Sequence, residues 1–434
     1  RRLSLSTVVQ ALRQLEDRGL VEARPQSGYF VRQSLPPRAE PVLRSTPEVA
    51  VPVDVMQRLI RVLQAGSRPG VAPLAAALPH PSLLPIAALQ RLYAGVARRC
   101  PKLLAGGSHI DMDEPALVRQ LVRRSLAWGG PLDAEEIVVT NSCTEALGLC
   151  LRAVTRPGDT VAVESPAYYL MLQLLETLGL RALEIPSDPR TGMSVEALDV
   201  ATRDGRVAAC LLVPNASNPL GSLMPEPKKR LLAALTATRG VALIEDDIYG
   251  DLCFDNQRPW PIKAFDATGN VMLCSSFSKS LSPALRIGFV AAGRHRQAIA
   301  LQKTVTSGGT NPLTQQVLAE YLDSGAYERH LRSLRRSYER QVDAMRQAVT
   351  RHFPAETRIA QPQGGFVLWI EMPEDCDTMA LHEAAAGQGL AFVPGELFSA
   401  SGMYRNCLRL NCGNPHAPEI EDAVRRLGQL IGQG

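Results

Sequence analysis

The sequence predicts an α/β protein: a body built on a mostly parallel sheet under helices, a smaller α+β unit after it, and a short helix-and-hairpin segment in front. Three observations carry this. From Glu136 onward short β-rich runs alternate with helical stretches, the pattern of a parallel sheet whose ligands sit at strand ends. One lysine, Lys279, stands among small hydroxyl residues between two apolar runs, Val271 to Cys274 and Ile287 to Ala292, that read as buried strands. Finally, Pro36, Pro37, Pro41, Pro47 and Pro52 mark a stiff linker that sets off the first 33 residues.

With 434 residues, 45% of them hydrophobic, the chain can bury a large core and hold two or three domains. The expected division is 1–33, a linker over 34–54, and a body over 55–434. Within that body a large domain covers about 100–325, and a small one covers about 326–434 together with the body's N-terminal segment. A net charge of +4 permits nucleic acid as a partner without demanding it. Nine cysteines, scattered without a C-x-x-C pair or a nearby histidine set, argue against a metal site and for the reduced thiols of a cytoplasm. No apolar run is long enough for a membrane span, and no signal peptide is expected.

In chain order, the first element is a helix from Ser6 to Arg18. Val8, Val9, Leu12 and Leu15 fall at helical spacing, Ser4 or Ser6 is placed to cap it, and Gly19 to stop it. Leu20 to Arg24 and Gly28 to Val31 then read as a hairpin around Pro25-Gln26-Ser27. Taken alone, the helix is an amphipathic helix packing on a neighbour. The run Ser4, Thr7, Val8, Ala11, Leu12, Leu15, continued by the hairpin, resembles the recognition helix and wing of GntR-type DNA-binding domains. That resemblance implies Ser4, Ser6 and Thr7 near base edges, with Arg13, Arg24 and the wing residue Gly28 also in contact with DNA. Earlier helices of such a domain are not in the sequence, so a partial winged helix-turn-helix and an upstream start are expected.

Helices are expected at Met56 to Gln64, Leu84 to Arg99 and Glu114 to Trp128. Strands follow at Ile137 to Thr140, Thr160 to Glu164, Ala208 to Pro214, Val241 to Asp246 and Val271 to Ser275. Each of the last five ends in a polar motif: Asn141-Ser142-Cys143-Thr144-Glu145, Ser165-Pro166-Ala167-Tyr168, Asn215-Ala216-Ser217-Asn218-Pro219-Leu220-Gly221, Asp246-Asp247-Ile248-Tyr249, and Ser276-Phe277-Ser278-Lys279 followed by Arg286. Singly these are a capped helix, a half-buried aromatic, an Asn-Pro turn, an acidic loop or cap, and a solvated lysine. A buried lysine, however, loses its proton and becomes a nucleophilic amine.

In this order and spacing the motifs resemble the cofactor site of fold type I pyridoxal phosphate (PLP) enzymes of the aspartate aminotransferase superfamily. The resemblance implies Lys279 as the Schiff-base lysine. It puts Asp246 against the pyridine nitrogen, Asn218 and Tyr249 on the ring's O3′, and Tyr168 stacked on the ring. Cys143, Thr144, Ser276 and Arg286 would hold the phosphate. A tyrosine that such enzymes send to the partner subunit's phosphate is replaced here by Ser108-His109.

Tyr327 to His352 reads as a long helix with a solvated arginine face. Gly364 to Ile370, Leu390 to Gly395 and Cys407 to Asn411 read as strands of the smaller unit. By the same resemblance Arg409 clamps a substrate carboxylate with its planar fork. A winged helix, a proline-rich linker and an aminotransferase-like body together resemble the MocR subfamily of GntR-type transcriptional regulators. Such a protein binds PLP and operator DNA, senses PLP or an amino acid or amine effector, and works as a homodimer. The alternative is a PLP-dependent aminotransferase acting on an aminoadipate-like or aromatic amino acid.

Overall fold

The computed structural model describes residues 4–17, 21–24, 28–31, 38–105, 113–255 and 257–432. Its first piece is α1 (Leu5–Asp17), and of the two serines placed to cap it the role falls to Ser4, whose Oγ accepts the Thr7 N–H at 3.2 Å. β1 (Val21–Arg24) and β2 (Gly28–Val31) pair antiparallel, with Val21 opposite Val31 and Arg24 opposite Gly28. The Pro25-Gln26-Ser27 turn and the Ser108-His109 pair lie outside the described residues.

Residues 38–50 carry no helix or strand, and β3 (Val51–Pro52) then joins the edge of the main sheet. α2 (Met56–Gly66), α3 (Ile86–Arg99) and α4 (Pro115–Ser125) come next, close to where spacing put them. The expected run to Trp128 is shorter as α-helix: Leu126–Trp128 tightens into a 3-10 turn before Gly129, whose φ of +90° ends it.

The sheet is then laid down by β4 (Ile137–Thr140), α5 (Cys143–Val154), β5 (Thr160–Ser165), α6 (Tyr169–Thr177), β6 (Arg181–Asp188), β7 (Gly192–Met193), α7 (Val195–Ala201), β8 (Val207–Leu212), α8 (Glu226–Arg239), β9 (Ala242–Asp246), β10 (Val271–Ser276) and β11 (Gly288–Ala291). Spatial order is β3-β6-β5-β8-β9-β10-β11-β4, with β7 pairing β6. Neighbours from β6 to β10 are parallel, while β11 is antiparallel to both β10 and β4. Both faces are covered, which is why these strands read as unbroken apolar runs. Along β9, Ala242 and Ile244 pack in one cluster with Leu147 of α5, and Leu243 packs in another with Leu232 of α8.

α9 (Arg296–Thr306), α10 (Pro312–Asp323) and α11 (Ala326–His352) lead to a second sheet. It is built from β12 (Arg358–Ile359), β13 (Val367–Glu371), α12 (Thr378–Ala386), β14 (Val393–Pro394), β15 (Cys407–Asn411) and α13 (Pro418–Ile431), all strands antiparallel in the order β12-β13-β15-β14. The strand expected at Leu390 to Gly395 shrinks to the two residues of β14. α11 buries Leu331, Leu334, Tyr338, Val342 and Met345 and leaves Arg332, Arg336 and Arg340 in solvent, the amphipathic division its spacing implied.

Candidate functional site

The loops leaving β4, β5, β8, β9 and β10 emerge at one edge of the sheet and enclose a cavity of about 160 Å³. All nine side chains expected at a cofactor line it: Cys143, Thr144, Tyr168, Asn218, Asp246, Tyr249, Ser276, Lys279 and Arg286. Parallel strands with one common C-terminal edge bring together residues that stand up to 143 positions apart in the chain, from Cys143 to Arg286.

Lys279 is half-buried just past β10, and its Nζ donates to the Ala77 carbonyl at 2.6 Å. Burial, with the nearby positive charge of Arg409, pulls its amine down to about 8, partly offset by Asp246. Asp246, the last residue of β9, is buried; Oδ1 accepts the Cys143 thiol at 3.3 Å and the Ile248 N–H at 3.1 Å. Burial pushes its carboxyl up to about 6, against the pull of the two hydrogen bonds. Tyr249 is buried one turn on, its phenol pushed up by burial and held back by Arg409 and a hydrogen bond with Asn218. Tyr168 stands at the start of α6 with its ring 4.7 Å from that of Tyr169.

Also at the cavity, α5 begins with Ser142 as its cap, its Oγ accepting the Glu145 N–H at 3.1 Å. The first N–H groups of a helix have no partner within it and so suit an anion. Ser276 is buried there, and Arg286, at φ +51°, is exposed with no hydrogen-bond or ion-pair partner among the described residues. Gly288 makes the approach possible: a Cβ on it would stand 2.5 Å from the Ser142 carbonyl carbon and 2.8 Å from the Cys143 nitrogen.

Arg409, on β15, is fully buried without an acidic partner among the described residues. It donates Nη1 to Asn218 Oδ1 at 3.3 Å and Nη2 to the Ala75 carbonyl, its guanidinium lies 5.4 Å from the Tyr169 ring centre, and its Nε is unpaired. A buried cation with a spare donor asks for an anion. A helix start with an arginine unpartnered among the described residues for a phosphate, a buried carboxylate for a ring nitrogen and a buried guanidinium for a carboxylate together fit a phosphorylated pyridine cofactor beside a carboxylate-bearing ligand.

Sequence reasoning missed Ala75 and Ala77, which act through backbone carbonyls, and the apolar wall of Leu78, Leu170 and Leu174. Only Leu170 and Leu174, one turn apart on α6, left a signal in the sequence. The residues assigned to DNA sit apart on the helix and hairpin. Ser4 Oγ lies 2.8 Å from Ser6 Oγ and 2.7 Å from Thr7 Oγ1, all three exposed, and Gly28 opens β2 at φ +95°. Arg13 and Arg24 lie in α1 and β1, and their side chains fall outside what the structure describes.

Residues 111–427 match the family described as aminotransferase class I and II. Over 439 aligned residues the chain is 38% identical to the uncharacterized HTH-type transcriptional regulator YjiR of Escherichia coli strain K12, covering 99% of this chain and 91% of that one. It is 31% identical to the 2-aminoadipate transaminase of Thermus thermophilus, over 85% of this chain and 92% of the relative. The crystal structure of a multiple substrate aminotransferase from Thermococcus profundus superposes with a TM-score of 0.80 at 28% identity, covering 86% of this chain and 94% of that chain.

Proposed function

This chain belongs to the class I and II aminotransferase family and, within it, to the MocR subfamily of GntR-type transcriptional regulators, and from that membership we propose a regulator that binds PLP at Lys279, senses an amino acid or amine there, and reads DNA through its N-terminal segment. The observation that carries this is the likeness to an HTH-type regulator over 99% of the chain, which takes in the helix and hairpin as well as the body. PLP, when bound, supplies a carbonyl carbon that condenses with amines and a ring that accepts electron density.

The chain's own residues divide the work. The start of α5, Ser276 and Arg286 hold the phosphate, and Asp246 keeps the ring nitrogen protonated. Tyr249 and Asn218 donate to the ring oxygen, and Arg409 takes the ligand's carboxylate as a fork that lysine could not match. Lys279, held near neutrality, supplies the amine and can carry a proton at its Nζ. Residues 1–33 act as the DNA-reading unit, 34–54 as the linker, and 55–434 as the sensor, the last working as a homodimer in the cytoplasm. No helix among the described residues is long and apolar enough to cross a membrane.

A second reading, a working transaminase for an aminoadipate-like or aromatic amino acid, is favoured by the completeness of the set Lys279, Asp246, Tyr249, Asn218 and Arg409. One experiment separates them: binding of the protein to DNA from upstream of its own gene across a salt series, with PLP present or stripped, alongside an assay for keto acid. Specific binding that survives moderate salt and changes with PLP supports the regulator. Binding that salt fully screens and PLP leaves unaltered, with sustained keto acid release, replaces it by the enzyme.

A further inference from the structure

We propose that Cys143 is a positioning residue for Asp246, its thiol pinning one carboxylate oxygen so that the other faces the cavity, and that its side chain does not serve the phosphate. This rests on the PLP reading. The resemblance to fold type I PLP enzymes implies Cys143 at the phosphate. In the structure the residue has two ends with different partners. Its N–H belongs to the open first turn of the helix, while its Sγ turns toward β9 and lies 3.3 Å from Asp246 Oδ1.

Ile248 donates its N–H to the same Oδ1 at 3.1 Å, and none of the described residues donates to Oδ2. The outer torsion of an aspartate is soft and nearly two-fold, so a single donor leaves the group free to turn. Two donors converging on one oxygen fix it. Cys143 and Asp246 are each 3% exposed, so water competes little for either. Burial and the neighbouring carboxylate push the thiol well above its ordinary range, which keeps it a donor. A neutral S–H is a weak donor, strengthened when its acceptor is ionised.

The other charged or titratable groups facing Asp246 are Asp247 on the same strand end, Glu164 of β5, Tyr168 at the start of α6, Cys274 of β10, Lys279 beyond β10 and Tyr249 in the following loop. Behind the thiol, Cys150 of α5 touches Cys274 of β10 at 3.6 Å. None of these donates to Oδ1, so Cys143 and Ile248 alone set its direction.

The test uses the full chain, unchanged or carrying Cys143→Ala or Cys143→Ser, loaded with PLP and followed by visible absorbance across pH. Without the thiol Oδ2 is no longer aimed at the ring nitrogen, and that loss of alignment leaves the nitrogen's proton less firmly held. A ring with less positive charge lets the lysine linkage keep its own proton to higher pH. Cys143→Ala is expected to raise the absorbance midpoint by about half to one pH unit, and Cys143→Ser, whose hydroxyl can donate to the same oxygen, to return most of it. Competition of inorganic phosphate against PLP is expected to be the same in all three. Coincident midpoints overturn the assignment, as does a phosphate affinity that falls in Cys143→Ala while the midpoint stays. If the unchanged protein shows no more absorbance than Lys279→Ala, the PLP reading itself has failed and takes this assignment with it, a result visible before the cysteine variants are compared.

Discussion

An ordinary lysine amine holds its proton up to about pH 10.4, whereas Lys279 is pulled down to about 8 by burial and by Arg409. For a cation the sign is direct: lowering the pKa enlarges the neutral, nucleophilic fraction at every pH below the old value. At neutral pH the neutral fraction exceeds that of an exposed lysine on the order of a hundredfold or more. The expected outcome is that cofactor-free protein takes up PLP, seen as growth of visible absorbance, at a rate that climbs with pH and levels off above about 8. A rate still climbing toward pH 10 would mean that the cavity does not tune this amine. Part of the tuning rests on Arg409, whose charge is answered by carbonyl and amide oxygens rather than a carboxylate, so the site carries a cation in reserve for a ligand's anion.

Among the elements, the start of α5 depends on its contact with β11. Gly288 stands where any side chain would press on the backbone of Ser142 and Cys143. Gly288→Ala must push the helix start away from the strand, and a cost of roughly 1–3 kcal/mol or more is expected from overpacking against main chain that cannot rotate aside. Denaturant unfolding of cofactor-free protein measures it, and an unaltered midpoint would show that the contact is slack. The same geometry explains what was legible beforehand. β4, β5, β8, β9 and β10 announce themselves as apolar runs because both faces are buried, and their polar ends fall in order at one edge. β6 escaped notice, since Glu184 and Pro186 interrupt its pattern. Glu184 is buried yet satisfied by Ser165, Ala400 and Ser401, partners that sequence neighbours could not reveal. On the side of β6 where β3 covers only Arg181 and Ala182 and β7 pairs only Ser187 and Asp188, Pro186 takes the Ser194 N–H on its carbonyl and has no N–H of its own to satisfy. At the site, nine positions could be read from motif order. The aim of the Cys143 thiol could not, because it depends on where β9 lies beside α5.

At the scale of the molecule, the segment leading to the body runs between the two sheets and binds each in turn. Arg38 donates to the Thr350 and Phe353 carbonyls at the end of α11, at 2.9 and 3.4 Å. Glu40 pairs with Arg190, which follows β6, and Thr46 donates to the Glu184 carbonyl of β6 at 2.7 Å. Between those anchors Arg44 reaches Glu371 of β13 and Asn406 beside β15, each at 2.8 Å, and the Val42 N–H donates to the same Glu371 at 3.0 Å. β15 is also the strand that carries Arg409. A ligand that draws Arg409 toward the cavity loads the strand whose near end is tied to the segment that follows the N-terminal helix and hairpin. A ligand alters DNA affinity only through contacts that differ between two arrangements, and at this tie the linker meets the strand that bears Arg409. Arg44 is part-exposed, and the buried Glu371 keeps the Val42 N–H when the arginine is lost, while a glutamine there keeps its size and a carbonyl to accept that bond, so either change should leave the fold intact. Arg44→Ala and Glu371→Gln are therefore expected to bind PLP and DNA as the unchanged protein does. Their response of DNA affinity to an amino acid effector should shrink from the roughly 5- to 150-fold typical of coupled sites to within about twofold. DNA titrations with and without the effector, paired with the cofactor's absorbance to verify that the site is filled, decide it: a full response in both variants would place the coupling elsewhere than in this tie.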